Sequence, residues 1–159
     1  MDPFKVLLNS SIHRIRPSLG EIPVHQELVR LKGEDVPGLR EFYSICNGGC
    51  FFVTESDISY RVIGINEINP LSTLLEYSSE FIPLGWCGVV ESYDSNWVVL
   101  NLSRDQFFGS LIDCDIATVH MTGYRRVISL NFNDFIRDML EGKERPFWLA
   151  ADFKAIAYV

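Results

Sequence analysis

Two aspartates at alternate positions, Asp113 and Asp115, have the residue type and spacing that could support chemistry. Alternate side chains of a β-strand point to the same side of the sheet, so the two carboxylates would lie together. Such a pair can act in acid–base catalysis or bind a cation, although catalysis also needs partner groups that the sequence does not place. The alternative interpretation is a solvated strand end beside a turn.

Other patterns that could support catalysis or metal binding are weak. Cys46 and Cys50 are separated by a predicted helix end, and a structural zinc site needs four convergent ligands. A cysteine nucleophile paired with His120 has no local signature. The sequence contains no GxSxG, GxGxxG or GxxxxGK[ST] motif, so the usual hydrolase and nucleotide-binding signatures are missing. We therefore expect no catalytic residues, no metal and no cofactor.

Aromatic and acidic residues are concentrated between Trp86 and Trp97. On a loop, such residues are typical of protein-binding surfaces, where aromatic rings anchor the partner and charge steers it. The alternative is packing in the core, which we expect for Trp97 because it begins an apolar strand. The loop of Glu55, Ser56 and Asp57 adds negative charge. The candidate protein-binding residues are Glu55, Asp57, Trp86, Glu91, Tyr93, Asp94, Asp113 and Asp115.

The bulk properties indicate a single acidic globular domain over residues 1–159. A chain of 159 residues with 47% hydrophobic residues is long enough to bury a substantial core. The net charge of −7 disfavours nucleic acid as a partner and favours a basic protein. The sequence has no secretory signal and no apolar run that approaches a membrane span, so we expect a cytoplasmic protein that does not bind membranes.

Apolar residues three or four positions apart predict four helices. The first has its apolar stripe between Phe4 and Ile15. The second covers Pro23–Leu31. The third begins at Pro37 and ends at Asn47-Gly48-Gly49, because Gly and Asn readily adopt the left-handed conformation that terminates helices. The last lies between the N-cap Asn131 and Gly142.

Short runs rich in β-branched and aromatic residues predict the strands. These are Phe51–Thr54, Arg61–Ile65, Phe81–Leu84, Val89–Tyr93, Trp97–Leu102, Phe107–Asp113 and Arg126–Leu130. A helical turn or two is predicted within Asn69–Ser79. Because most runs follow each other without a helix between them, they predict antiparallel hairpins. The fold class is α+β: a strongly twisted antiparallel sheet of about five to six strands, with N-terminal helices and one C-terminal helix packed around it.

Three segments in this order resemble the SUKH superfamily, which includes the fungal cell-wall-synthesis regulator and many bacterial immunity proteins. The first is the helix introduced by Val36-Pro37 that ends at Asn47-Gly48-Gly49. The second is EFIPLG at 80–85 with the hairpin through WVVLNLS at 97–103. The third is the strand 107–115 followed by the helix NFNDFIRDML at 131–140. The likeness covers about Ile22 to Gly142.

The chain departs from this family pattern in three places. An acid- and glycine-rich stretch is usual directly after the IPLG motif of the second segment, and here it is WCGVVE at 86–91. A long segment, 116–125, precedes the last helix. The tail 143–159 is extra, and its Pro146-Phe147-Trp148-Leu149 motif is too apolar to remain in water. We expect this motif either to pack on the domain or to form an oligomer contact.

The resemblance implies a non-enzymatic binding module, and no catalytic residues are carried over from the family. Bacterial members typically neutralise a toxin by direct contact, so the implied partner is a cognate toxin, and the acidity of the chain favours a basic one such as a nuclease. The alternative is a regulatory or scaffold module like the fungal member. A third hypothesis is a small enzyme that uses Asp113 and Asp115. We expect a monomer or a weak homodimer.

Overall fold

A computed structural model shows a mixed α+β architecture built on one antiparallel sheet. The structure describes residues 7, 9–53, 60–76, 80–92, 94–142 and 145–159. Within these ranges, eight strands lie side by side in their order along the chain, and each pairs antiparallel with the next. The predicted fold class and the antiparallel pairing are confirmed, whereas the predicted number of strands was too low.

The strands and helices alternate irregularly along the chain. The strands are β1 (Arg14–Pro17), β2 (Cys46–Phe51), β3 (Tyr60–Val62), β4 (Trp86–Ser92), β5 (Trp97–Asn101), β6 (Leu111–Cys114), β7 (Arg126–Ser129) and β8 (Ala157–Tyr158). The helices are α1 (Glu21–Leu31), α2 (Leu39–Ile45), α3 (Leu71–Leu74) and α4 (Phe132–Glu141), with 3-10 turns at Ile65–Glu67 and Phe147–Leu149. None of the helices in the described ranges is both long and apolar enough to cross a membrane.

Helices α1 and α4 form where the apolar periodicity predicted them. Val24, Leu28 and Leu31 are the buried residues of α1, as expected. At the start of α4, the Asn131 side chain accepts a hydrogen bond from the Asp134 backbone N–H at 2.8 Å. This bond satisfies one of the amides that a helix start leaves without a partner. Helix α3 likewise confirms the helical turn predicted within the segment 69–79.

The predicted N-terminal helix does not extend to Ile15. Instead, Arg14–Pro17 form β1 at one edge of the sheet, where Arg14 lies opposite Cys50 and Ile15 opposite Gly49. Pro17 is compatible with this place, because an edge strand can hold a residue that donates no backbone hydrogen bond. The helical spacing of a few apolar residues was therefore misleading, since pairing with a distant strand determines the local structure here.

Asn47, Gly48 and Gly49 lie inside β2, although the sequence predicted that they end a helix. Gly48 has φ 73°, and a Cβ atom there would collide with the carbonyl oxygen of Val62 on the neighbouring strand. A Cβ at Gly49 would collide with the carbonyl oxygen of Arg14 on the other side. The two glycines therefore allow close contact between three strands, which is a different use of the same residue type.

The segment Phe81–Leu84 is a turn and not the predicted strand. Phe81 and Leu84 are exposed by 49% and 79%, and the carbonyl of Pro83 accepts the Trp86 backbone N–H at 3.0 Å. Pro83 itself offers no N–H to a neighbouring strand, which disfavours a strand at this point. Strand β4 begins directly after the turn.

Aromatic side chains join the helices to the C-terminal tail. The rings of Phe42 in α2 and Phe132 in α4 are 5.5 Å apart, and the Phe135 ring stacks on Trp148 at 5.4 Å. Trp148 is only 3% exposed. The tail motif therefore packs on its own domain, the first of the two alternatives for Pro146–Leu149.

Candidate functional site

A pocket of about 220 Å³ lies where strands β3 to β6 meet the C-terminal tail. Small-molecule sites usually enclose roughly 300–1,000 Å³, so this pocket is better matched to a single side chain than to a larger ligand. Three of the eight candidate residues line it: Asp94, Asp113 and Asp115. The other polar residues of the lining are Tyr60, Ser92 and Asn96.

Residues that lie opposite each other in neighbouring strands form the floor of the pocket. Val98 of β5 lies opposite both Val90 of β4 and Asp113 of β6. Tyr60 of β3 lies opposite Ser92 of β4. Residues directly opposite each other in antiparallel strands point to the same face, so four strands contribute to one surface. Strand pairing therefore fixes the place of Asp113 in the floor of the pocket.

The C-terminal tail supplies an aromatic wall. The Trp148 ring lies 6.1 Å from the Tyr60 ring in an edge-to-face arrangement, and 5.2 Å from the Phe147 ring. The Trp148 ring also stacks on the Phe135 ring of α4. Such offset and edge-to-face pairs add stability beyond the buried area. Trp148 is thus held by aromatic neighbours on several sides and forms a rigid part of the pocket.

Asp113 is largely buried and paired with Arg126 of the adjacent strand. Its side chain is 12% exposed, and Arg126 Nη2 donates to Asp113 Oδ2 at 2.6 Å. Burial raises the pKa of Asp113 above its usual value and outweighs the lowering effect of Arg126, while the nearby Asp115 raises it further. Both hydrogen bonds from Arg126 to Asp113 end on Oδ2, so among the described residues Oδ1 has no hydrogen-bond partner.

Asp94 and Asp115 lie at the rim of the pocket. Asp115 Oδ1 accepts the Ala117 backbone N–H at 2.7 Å, and Asn96 Oδ1 accepts the Ile116 backbone N–H at 2.7 Å. Asn96 Nδ2 donates to Asp94 Oδ2 at 3.3 Å. Within the part of the chain that the structure describes, neither Asp94 nor Asp115 forms an ion pair. Their charges therefore remain available to a ligand.

No protein-family model matches the chain, and no curated protein matches it. The chemistry of the pocket therefore follows from its own residues. Three carboxylates surround it and one guanidinium, that of Arg126, neutralises only Asp113. The pocket consequently favours a positively charged ligand.

Trp86 does not contribute to this pocket. It is 4% exposed, and the Arg125 guanidinium lies 4.5 Å from its ring centroid. Arg125 also donates to the carbonyl oxygens of Phe81, Val119 and Val159. Trp86 is therefore a core residue in a cation–π contact, which is the packing alternative of the sequence analysis.

Glu91 belongs to an ion-pair network away from the pocket. It pairs with Arg61 at 2.7 Å, Arg61 pairs with Glu67 at 3.0 Å, and Glu67 pairs with Arg16 at 2.6 Å. Glu91 lies next to Val90, which lines the pocket, and successive strand residues point to opposite faces. Glu91 therefore points away from the face on which Val90 lies, and it is not among the residues that line the pocket.

The remaining candidates, Glu55, Asp57 and Tyr93, lie outside the described residues. Trp97, which we expected in the core, is 7% exposed. A Cβ atom at Gly88 would meet the Trp97 ring, so this ring packs directly on the strand β4 backbone. The expectation for Trp97 is confirmed.

Sequence reasoning missed Tyr60, Arg126 and Trp148 as parts of this site. The apolar tail motif did indicate that Trp148 must be covered, but not by which surface. Arg126 begins a predicted strand, yet its pairing with Asp113 depends on the strand register, which the sequence does not reveal. Tyr60 precedes a predicted strand and carried no signal of its own.

The three buried cysteines, Cys46, Cys87 and Cys114, are unsuited to nucleophilic catalysis. Burial raises the pKa of Cys46 and of Cys87 to about 11, and it also raises the pKa of Cys114. These thiols therefore stay protonated at neutral pH, and the thiolate is the reactive form.

Among the described residues, no group of three or more His, Cys, Asp or Glu side chains could hold a metal ion.

Proposed function

We propose that this chain is a non-enzymatic binding module that neutralises a basic protein, as bacterial immunity proteins of the SUKH type neutralise toxins. The observation that carries the proposal is the pocket in which Asp94 and Asp115 lack ion-pair partners among the described residues, beside the ring of Trp148. Aromatic residues are enriched at interface hot spots, and complementary charge steers the partner towards them.

Charge supports a basic partner. The chain carries a net charge of −7, which attracts a cationic protein and speeds its association. A nuclease toxin presents a cationic cleft to nucleic acid, because Lys and Arg neutralise the phosphates. Carboxylates inserted into such a cleft would mimic phosphate and exclude the substrate.

Co-purification with the product of the neighbouring gene, followed by an assay of its toxic activity, tests this proposal. We expect a stable complex and protection of cells that produce the toxin. The variant Asp94→Asn/Asp115→Asn should weaken the complex, while Glu41→Gln, which removes an exposed charge from α2, should not. A well-folded protein that neither binds nor protects would refute the proposal.

The alternative is a regulatory or scaffold module that uses the same surface for signalling partners. Gene neighbourhood separates the two, because an immunity gene directly follows the gene for its toxin. A location among housekeeping genes, with several partners recovered from cells, would favour the scaffold.

An acid–base enzyme is a second candidate, because Asp113 and Asp115 line the same pocket and the pKa of Asp113 is raised. A raised pKa is what a general acid requires near neutral pH. The hypothesis predicts turnover that Asp115→Asn abolishes, whereas a binding module shows only altered affinity.

A further inference from the structure

We infer that the pocket binds a single arginine side chain of the protein partner, an inference that rests on the proposed function and names the group recognised. The pocket volume of about 220 Å³ is below that of most small-molecule sites, so one inserted side chain is the occupant that fits. Inserted side chains of this kind commonly dominate the affinity of an interface, and arginine is enriched among them.

The carboxylate oxygens of the pocket match the donors of a guanidinium. Of the two Asp113 oxygens, Arg126 donates only to Oδ2, and it also donates to the Trp148 carbonyl oxygen. The Ala117 N–H donates to Oδ1 of Asp115. Among the described residues, Oδ1 of Asp113 and Oδ2 of Asp115 are therefore unused acceptors in one pocket. A guanidinium has five N–H donors in a planar fork, so it can reach more than one such oxygen.

The aromatic wall favours arginine over a compact cation. Tyr60 and Trp148 line the pocket together with the aspartates, and the planar guanidinium is weakly hydrated and packs well on aromatic rings. A metal ion is a poorer match, because no three acidic, histidine or cysteine side chains of the described ranges converge closely enough to hold one.

NMR titration with two small probes tests the inference directly. N-acetylarginine amide carries the charge, and N-acetylcitrulline amide is its neutral isostere. We expect the arginine probe to shift the indole N–H signal of Trp148, assigned with Trp148→Phe, with a Kd on the order of 1 mM. The buried Trp86 indole serves as an internal reference that stays in place.

The matched variants isolate the charge of the pocket. Asp115→Asn keeps the Oδ1 acceptor for the Ala117 N–H but removes the charge, so it should weaken arginine binding about tenfold. Glu41→Gln on α2 removes a distant exposed charge and should leave the Kd unchanged.

Equal binding of the arginine and citrulline probes, or no response of Trp148 at tens of millimolar, would overturn the inference. If the chain nevertheless captures a toxin, the proposed function stands and only the arginine pocket is rejected. If the arginine probe binds as expected but no protein partner is neutralised, the pocket chemistry stands and the proposed function falls.

Discussion

Glu67 is the centre of the ion-pair network, and its removal gives a quantitative test of the structure. Its carboxylate accepts hydrogen bonds from Arg16 at 2.6 Å, from Arg61 at 3.0 Å and from the Gly64 backbone N–H at 2.7 Å. Burial alone raises the pKa of Glu67, but the bonds from Arg16, Gly64 and Arg61 outweigh it and lower the pKa to about 2. The ionised form is therefore bound more tightly in the folded state.

The pKa shift fixes both the sign and an upper limit of the effect. The pKa falls from 4.5 to about 2, and a shift of that size corresponds to at most about 3.4 kcal/mol of folding free energy. Because the Glu67 side chain is 36% exposed, solvent screening reduces this value, and we expect about 1–2 kcal/mol. The contribution is present above pH 4.5 and is lost as the pH falls towards 2.

Urea unfolding of Glu67→Gln at several pH values measures this contribution. We expect the variant to lose about 1–2 kcal/mol at neutral pH, with the deficit shrinking steadily as the pH falls below 4.5. Glu80→Gln, with an exposed side chain in the turn before β4, is the charge-matched control and should behave like the parent. A deficit that stays the same down to about pH 3 would show that packing, and not charge, is responsible.

Four further substitutions test the packing. Gly48→Ala should cost well over 2 kcal/mol, because it combines a positive φ with a collision. Gly109 has a similar φ, but a Cβ there would meet no described atom within 4 Å, so Gly109→Ala should cost only about 1–2 kcal/mol. Tyr43→Phe should cost about 1–3 kcal/mol, since the buried Ile63 carbonyl loses a donor at 2.8 Å. Trp148→Ala should cost about 3–5 kcal/mol. Denaturant midpoints check all of these, and equal losses for the two glycines would contradict the strand contact.

Amphipathic periodicity predicted the parts of the fold that are locally determined. Helices α1 and α4 each place one apolar stripe against the rest of the protein, and a stripe of that kind is visible in the sequence. Strands β1 and β8 are short, and each exists because one neighbouring strand offers it hydrogen bonds. Such pairing depends on distant residues, so the local pattern at Ile15 indicated a helix and the tail indicated no strand.

The same distinction between local pattern and distant packing applies to the candidate site. Strand alternation predicted that Asp113 and Asp115 point the same way. Both line the pocket, although β6 ends at Cys114 and Asp115 lies directly beyond it. The residue type of Trp86 is compatible with either the core or a binding surface. Its burial and its contact with the Arg125 guanidinium show that it belongs to the core. Trp148 joins the site through the packing of a distant tail, which no local pattern encodes.

The sequential strand order also has a consequence for the speed and the route of folding. Every strand pairs with its predecessor, so the sheet has a low contact order for a β-rich protein, and we expect relatively fast folding. Among the described residues, the connections between β4 and β7 contain no helix, whereas those leading from β1 and to β8 each contain at least one. The central hairpins should therefore form the folding nucleus, and the two edges should join after the rate-limiting step. Stopped-flow kinetics would then show that destabilising substitutions in β5 slow folding, whereas those in β8 mainly accelerate unfolding.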